Sequence, residues 1–144
     1  MPIKRILLLI TLLISPILSA ESLSNLNASE VNEKIKAGAL VIDVRTPQEW
    51  QKTGIIPGSH PLSFFDKNGR SDPEAWVNQM QSLKSSTDQE VVLVCHSGNR
   101  SGRIGSYLSQ KLNMSHVSHL STGITSWLRE KRPTQATCNT TQTC

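Results

Sequence analysis

Aromatic residues are scarce in this chain: two Phe, one Tyr and three Trp among 144 residues. Nor is there a run of Lys and Arg interleaved with aromatics, so the net charge of +4 does not point to nucleic acid. No apolar run reaches the length of a membrane span; the stretch Ile6 to Leu18 is short and carries Pro16. No segment repeats, and nothing marks a second domain. Cysteine is rare too, with only Cys95, Cys138 and Cys144. What is left is an ordinary soluble composition, 37% hydrophobic and 18% charged, on a length that suits one domain.

The first stretch, "MPIKRILLLITLLISPILSA", has a basic start, an apolar middle and small residues at its end. That is the layout of a secretory signal peptide, with cleavage expected after Ala20; an uncleaved anchor is the alternative. Loss of Lys4 and Arg5 would leave 13 Lys+Arg against 11 Asp+Glu, a net charge of about +2. This reading divides the chain into a signal at 1–20, a domain at 21–134 and a polar tail at 135–144. Export, to the periplasm in a Gram-negative host, implies an oxidising compartment where accessible thiols pair. An odd count leaves at least one thiol free or shared. The simplest pairing joins Cys138 to Cys144 and leaves Cys95 free. A reduced tail and pairing between molecules stay open.

Capping signals place the first two helices. "NLNASEVNEKIKAG" has Asn27 as N-cap, Glu30 to complete a capping box, Leu26 and Val31 as a hydrophobic staple, and Gly38 as its stop. "RTPQEWQKTG" repeats the device with Thr46, Pro47, Glu49 and Gly54. "SDPEAWVNQMQSL" predicts a third helix whose apolar face is Trp76, Val77, Met80 and Leu83. Ile104, Tyr107, Leu108 and Leu112 recur at helical spacing in a fourth, kept slim by Gly102, Gly105 and Ser106. Ile124, Trp127 and Leu128 mark the last. Trp50, Trp76 and Trp127 read as core residues. Between the helices lie the short apolar runs "ALVIDV", "EVVLV" and "SHVSHL". The alternation predicts an α/β fold with a mostly parallel sheet covered by helices on both faces. Ligands bind such sheets beyond the carboxyl ends of the strands, where Cys95 stands.

The segment "CHSGNRS" turns from a strand into a helix. Backbone N–H groups aimed inward there, with the helix N-terminus, form a nest for negative charge. Gly98 permits the backbone angles this needs, and Arg100 adds a fixed cation. The field favours a thiolate at Cys95 and holds an oxyanion beside it. His116 and His119 fall on opposite faces of a strand, so they are not expected to share a metal.

These residues carry a resemblance. "CHSGNRSG" is similar to the active-site loop of the rhodanese sulfurtransferases, which begins with the catalytic Cys. "LVIDVRTPQEW" resembles the family's Asp-x-Arg strand and following helix through Asp43, Arg45 and Glu49. "GIIPGSHPL" matches another of its segments through Gly54, Ile56, Pro57 and Gly58, and "LSTGITSWL" its terminal pattern through Gly123 and Trp127. Ile55, Pro61 and Thr122 depart from it. The resemblance runs from about Leu26 to Arg132 and implies a rhodanese-like three-layer fold.

It also implies two-step sulfur transfer through a Cys95 persulfide, from a small anionic donor such as thiosulfate to a thiol or cyanide. His96, Ser97, Gly98, Asn99 and Arg100 would form the substrate loop. Arg100 would fix the loop and help hold the donor, while Asp43 and Arg45 would support it as a structural ion pair. Neither metal nor organic cofactor is implied, the partners are small molecules, and a monomer is expected. Tyrosine phosphatases and arsenate reductases, with Cys, five residues, Arg and Ser around an oxyanion, offer a rival reading. A sulfur carrier or binding module without turnover is a second.

Overall fold

The computed structural model describes residues 22–137. The signal segment 1–20 and the Cys138–Cys144 pairing lie outside them. Among the described residues no helix is long and apolar enough to cross a membrane.

Five strands form one sheet in the order β1-β5-β4-β2-β3, and every pairing is parallel. The strands are β1 (Ser24–Leu26), β2 (Leu40–Asp43), β3 (His60–Pro61), β4 (Val91–Val94) and β5 (Val117–Leu120). The helices are α1 (Ala28–Lys36), α2 (Pro47–Thr53), α3 (Pro73–Leu83), α4 (Asn99–Ser106) and α5 (Gly123–Arg129). β2, β4 and β5 are buried along their whole length, which accounts for the near-continuous apolar sequences of β2 and β4, while β5 buries Ser118 and His119 among its four residues.

Alternation along the strands splits the core in two. On one face Leu40, Ile42, Val91 and Leu93 pack with Trp76 and Met80 of α3 and Ile104 of α4. On the other, Val41, Val92, Val94 and Leu120 pack with Ala28 and Val31 of α1 and Ile124 and Trp127 of α5. The expected three-layer arrangement is therefore present.

Both capping boxes form. In α1 the Asn27 Oδ1 accepts from the Glu30 N–H at 3.0 Å, and the Asn27 N–H donates to Glu30 Oε2 at 2.7 Å. The staple residues Leu26 and Val31 are buried in one cluster. In α2 the Thr46 N–H donates to Glu49 Oε2 at 3.0 Å.

The helix ends depart from the sequence reading. Leu83, Leu112 and Leu128, expected on apolar faces, are 39%, 40% and 37% exposed. For Leu112 the cause is a π-helical turn, Tyr107–Lys111, which widens the coil and rotates the residues after it off the helical repeat. The other two lie in the last turns of α3 and α5. Trp50 is half-buried rather than core, and its Nε1 is buried without a hydrogen-bond partner. β1 has no signal in the sequence: its three residues are polar or exposed except Leu26, and pairing with β5 makes it a strand. Gln135, the first residue of the expected tail, exchanges two backbone hydrogen bonds of 2.9 Å with Ile55.

The chain leaves β2 toward β3 on one side and leaves β4 toward β5 on the other, although β2 and β4 are neighbours. Loops after adjacent strands thus diverge, opening a crevice at their carboxyl ends. The segments after Asp43 and after Val94 meet there.

Candidate active site

Cys95 follows the last residue of β4 and is 1% exposed, packed in the same cluster as Val91 and Leu93. The sheet pairing carries on past β2, with the Val44 N–H donating to Val94 O at 2.9 Å, which sets the thiol against the crevice. It is the free cysteine among the described residues.

The loop's backbone is oriented by α5. The Ile124 N–H donates to Cys95 O at 2.8 Å and the Thr125 N–H to His96 O at 3.2 Å; the Thr125 hydroxyl adds a bond of 2.7 Å to His96 O. These carbonyls are drawn away from the sulfur, so that amide hydrogens can face it. The Gly98 N–H donates to Cys95 Sγ at 3.1 Å. α4 begins at the next residue, has no acidic residue in its first turn, and directs its positive end to the same place. A sulfur anion here therefore meets an amide donor and a helix N-terminus.

Two glycines make this approach possible. Gly98 has φ +95°, and a Cβ on it would lie 1.8 Å from Ser121 O. Gly123 has φ +64°, and its Cβ would lie 2.3 Å from the His96 carbonyl carbon and oxygen. Both obstacles are backbone.

Arg100 closes the loop from the other side. Its NH1 donates to Glu49 Oε2 at 2.9 Å and its NH2 to Oε1 at 2.5 Å, a bidentate pair between α4 and α2. Glu49 is also the capping-box residue of α2. Burial pushes its carboxyl up, but the hydrogen bonds from Arg100 and Thr46 and the Arg100 charge outweigh that and hold it at about 2. Asp43 and Arg45 form a second, fully buried pair, with NH2 to Oδ2 at 2.7 Å and Nε to Oδ1 at 2.9 Å. Arg45 reaches on to Gly54 O and Thr53 Oγ1, both at 2.8 Å, and so ties β2 to the end of α2. His96, Ser97 and Asn99 are exposed at the mouth of the loop.

Sequence patterning assigns Ser101 and His119 no role in sulfur chemistry, yet the structure puts Ser101 beside Cys95 and His119 beside Ser101. Ser101 Oγ lies 3.3 Å from Cys95 Sγ and 3.1 Å from His119 Nδ1, and His119 Nε2 lies 2.7 Å from Asn25 Oδ1. The available signals are a Ser one turn into the helix after Cys95 and a His inside an apolar strand. His116 lies outside β5 and is exposed. Among the described residues no group of three His, Cys, Asp or Glu could hold a metal ion. An open groove of about 640 Å³, lined by Thr46, Phe64, Phe65, Arg70 and Trp76 among others, includes no residue of the Cys95–Arg100 loop.

The arrangement defines an α/β domain with a cradled thiol at the carboxyl edge of a parallel sheet. The family model described as Rhodanese-like domain matches residues 27–130, and the chain belongs to that family. Over 62 residues it is 39% identical to the rhodanese domain-containing protein CG4456 of Drosophila melanogaster; the match covers 42% of this chain and 56% of that protein's length. Among solved structures, the rhodanese-related protein of Thermoplasma volcanium is similar at TM-score 0.59 and 28% identity, covering 76% of this chain and 95% of that one. The polysulfide-sulfur transferase homodimer of Wolinella succinogenes shares the fold at TM-score 0.61 and 16% identity, with 83% of each chain covered. So does a Rhodopseudomonas palustris protein of unknown function, described as a possible tyrosine phosphatase, at TM-score 0.58 and 22% identity, over 78% of this chain and 85% of that one.

The phosphatase spacing is not met: four residues, His96 to Asn99, separate Cys95 from Arg100, not five. The likeness to that cradle is one of chemistry, not of loop length.

The Glu49–Arg100 clamp has a pH signature. A carboxyl brought from 4.5 to about 2 stabilises the folded state fully above pH 4.5, and that contribution is lost as pH falls toward 2. Urea midpoints of wild type and Glu49→Gln should therefore differ by a constant amount above that window and converge below it. A gap independent of pH would mean that the carboxylate charge is irrelevant to the clamp.

Proposed function

We propose that the protein is a sulfurtransferase that carries sulfane sulfur on Cys95. The observation that carries this reading is the Cys95 sulfur itself, buried at the end of β4 and accepting the Gly98 N–H. In the first step the thiolate attacks the outer sulfur of a small anionic donor such as thiosulfate. The new S–S bond forms as the old one breaks, and sulfite leaves with its electron pair. The persulfide keeps one negative charge, which the loop amides and the α4 N-terminus stabilise. In the second step cyanide or a thiolate takes the outer sulfur, and the Cys95 thiolate is regenerated. Two half-reactions through a covalent intermediate give ping-pong kinetics. Arg100, fixed by Glu49, holds the loop in shape and adds positive charge for the donor. Export by residues 1–20 belongs to the same proposal.

The test is mass spectrometry of the protein with and without thiosulfate. The expected result is an added mass of one sulfur, absent in Cys95→Ser and removed by cyanide or reductant. No added sulfur on Cys95 overturns the reading. Loading without multiple turnover makes the protein a carrier rather than an enzyme.

The phosphatase alternative calls for an acid that protonates the leaving oxygen. Glu49 and Asp43, the carboxylates tied into this site, are both engaged by arginines. Steady hydrolysis of an aryl phosphate that depends on Cys95 would reverse the assignment.

A further inference from the structure

A buried histidine lies within one hydroxyl of the nucleophile. His119 is 6% exposed and Ser101 is fully buried. The chain of contacts runs from Cys95 Sγ to Ser101 Oγ (3.3 Å), to His119 Nδ1 (3.1 Å), and from His119 Nε2 to Asn25 Oδ1 (2.7 Å). It links β4, α4, β5 and β1. The approach of α4 to β5 depends on Gly102, where a Cβ would already stand 3.2 Å from the imidazole Cε1.

Hydrogen counting makes the chain directional. Asn25 Oδ1 can only accept, so His119 Nε2 carries a hydrogen and donates it. In the neutral ring Nδ1 is then a bare acceptor. The Ser101 hydroxyl has one hydrogen and three neighbours that can take it: Cys95 Sγ, His119 Nδ1 and Gly98 O at 3.2 Å. It cannot serve the sulfur and the ring at once. When Cys95 is a thiol, S–H donates to Ser101 Oγ and the hydroxyl donates to Nδ1. When Cys95 is a thiolate, the hydroxyl can turn to the sulfur, and a protonated Nδ1 then donates to Oγ.

We infer that Ser101 and His119 form a proton relay that accepts the Cys95 proton when the nucleophile is charged. The S–H bond breaks as its proton passes to Ser101 Oγ, and the former hydroxyl proton passes to His119 Nδ1. The products are a thiolate and an imidazolium, with the serine restored and net charge conserved. Ser101 and His119 act through Cys95 and are positioning residues. The groups that face the ring are Ser101 and Gly102 from α4 and Asn25 from β1, with Cys95, the residue after β4, reached through Ser101. Arg100, whose charge acts on Cys95, is paired with Glu49. Burial holds the imidazole below the ordinary histidine range, so without the thiolate as counter-charge the ring stays neutral.

This inference rests on Cys95 as the nucleophile, but its test uses no sulfur donor, so it can fail while sulfur transfer stands. Iodoacetamide alkylation of Cys95 at neutral pH reads the thiolate fraction. In folded His119→Gln and Ser101→Ala the rate should fall about tenfold, equivalent to one pH unit of ionisation. Linkage also requires the reverse effect. Nitrogen-detected NMR of His119 should show Nε2–H in the resting ring, and the imidazolium should persist to higher pH in wild type than in Cys95→Ala. A merely structural His119 would not respond to Cys95. Alkylation within about twofold of wild type in both variants, or a His119 titration unmoved by Cys95→Ala, overturns the relay.

Discussion

Arg45→Leu is expected to cost about 3–5 kcal/mol of stability, because it leaves the Asp43 carboxylate buried and unpaired. Both residues are fully buried, and the hydrogen-bond donors to Asp43 are the backbone N–H, Nε and NH2 of Arg45 itself. The leucine also frees Gly54 O and Thr53 Oγ1 at the end of α2. α2 carries Glu49, which clamps Arg100, so the loss should reach the Cys95 loop as well as the fold. Equilibrium urea unfolding reads the first effect and sulfur loading the second. The double variant Asp43→Leu/Arg45→Leu removes both charges and should regain much of the stability, since an apolar pair of similar shape leaves no orphaned charge. A single variant as stable as wild type would show that the pair contributes nothing to the fold.

Gly98→Ala should abolish most sulfur loading while leaving a folded protein. The new Cβ would stand 1.8 Å from Ser121 O, and an alanine resists φ +95°. Backbone on both sides must move, and the Gly98 N–H moves with it. Displacement of a donor by about 1 Å can cost about 10²-fold in rate, and that is the expected loss in persulfide formation. Gly123→Ala should act the same way, since its Cβ would meet the His96 peptide at 2.3 Å. Gly38→Ala is the control: φ there is +85°, but nothing lies within 4 Å of the new Cβ. It bears the conformational strain alone and should load sulfur normally. Equal loading by Gly98→Ala and Gly38→Ala would show that close approach at the loop is not needed.

Several features are legible in the chain because local chemistry defines them. Asn27 with Glu30 and Thr46 with Glu49 mark helix starts, because each capping box is complete within four residues. β2 and β4 are legible because strands buried on both faces are apolar throughout. The helix ends are not. Whether Leu83 or Leu128 is covered depends on what lies opposite, and no spacing within the helix records that. β1 is invisible for the same reason, since its partner Ser118–Leu120 is far along the chain.

The candidate site divides the same way. From Cys95 to Arg100 the chain carries its own instructions: a strand delivers the thiol, a glycine permits the turn, and a helix starts at Asn99. Glu49 is legible as a cap, but not as the partner of Arg100, which is 51 residues away. Asn25 reaches His119 across 94 residues, and Ser101 reaches it across 18. The sequence alone determined the class of fold, the place of Cys95 at the carboxyl end of a strand and the glycine-bearing turn after it, since these follow from short-range propensity, capping and steric freedom. The tertiary structure alone decided what clamps that turn and which side chains stand beside the Cys95 sulfur. Packing parallel strands side by side brings together residues that no local rule relates, and their charges and hydrogen bonds take effect only when buried at those distances.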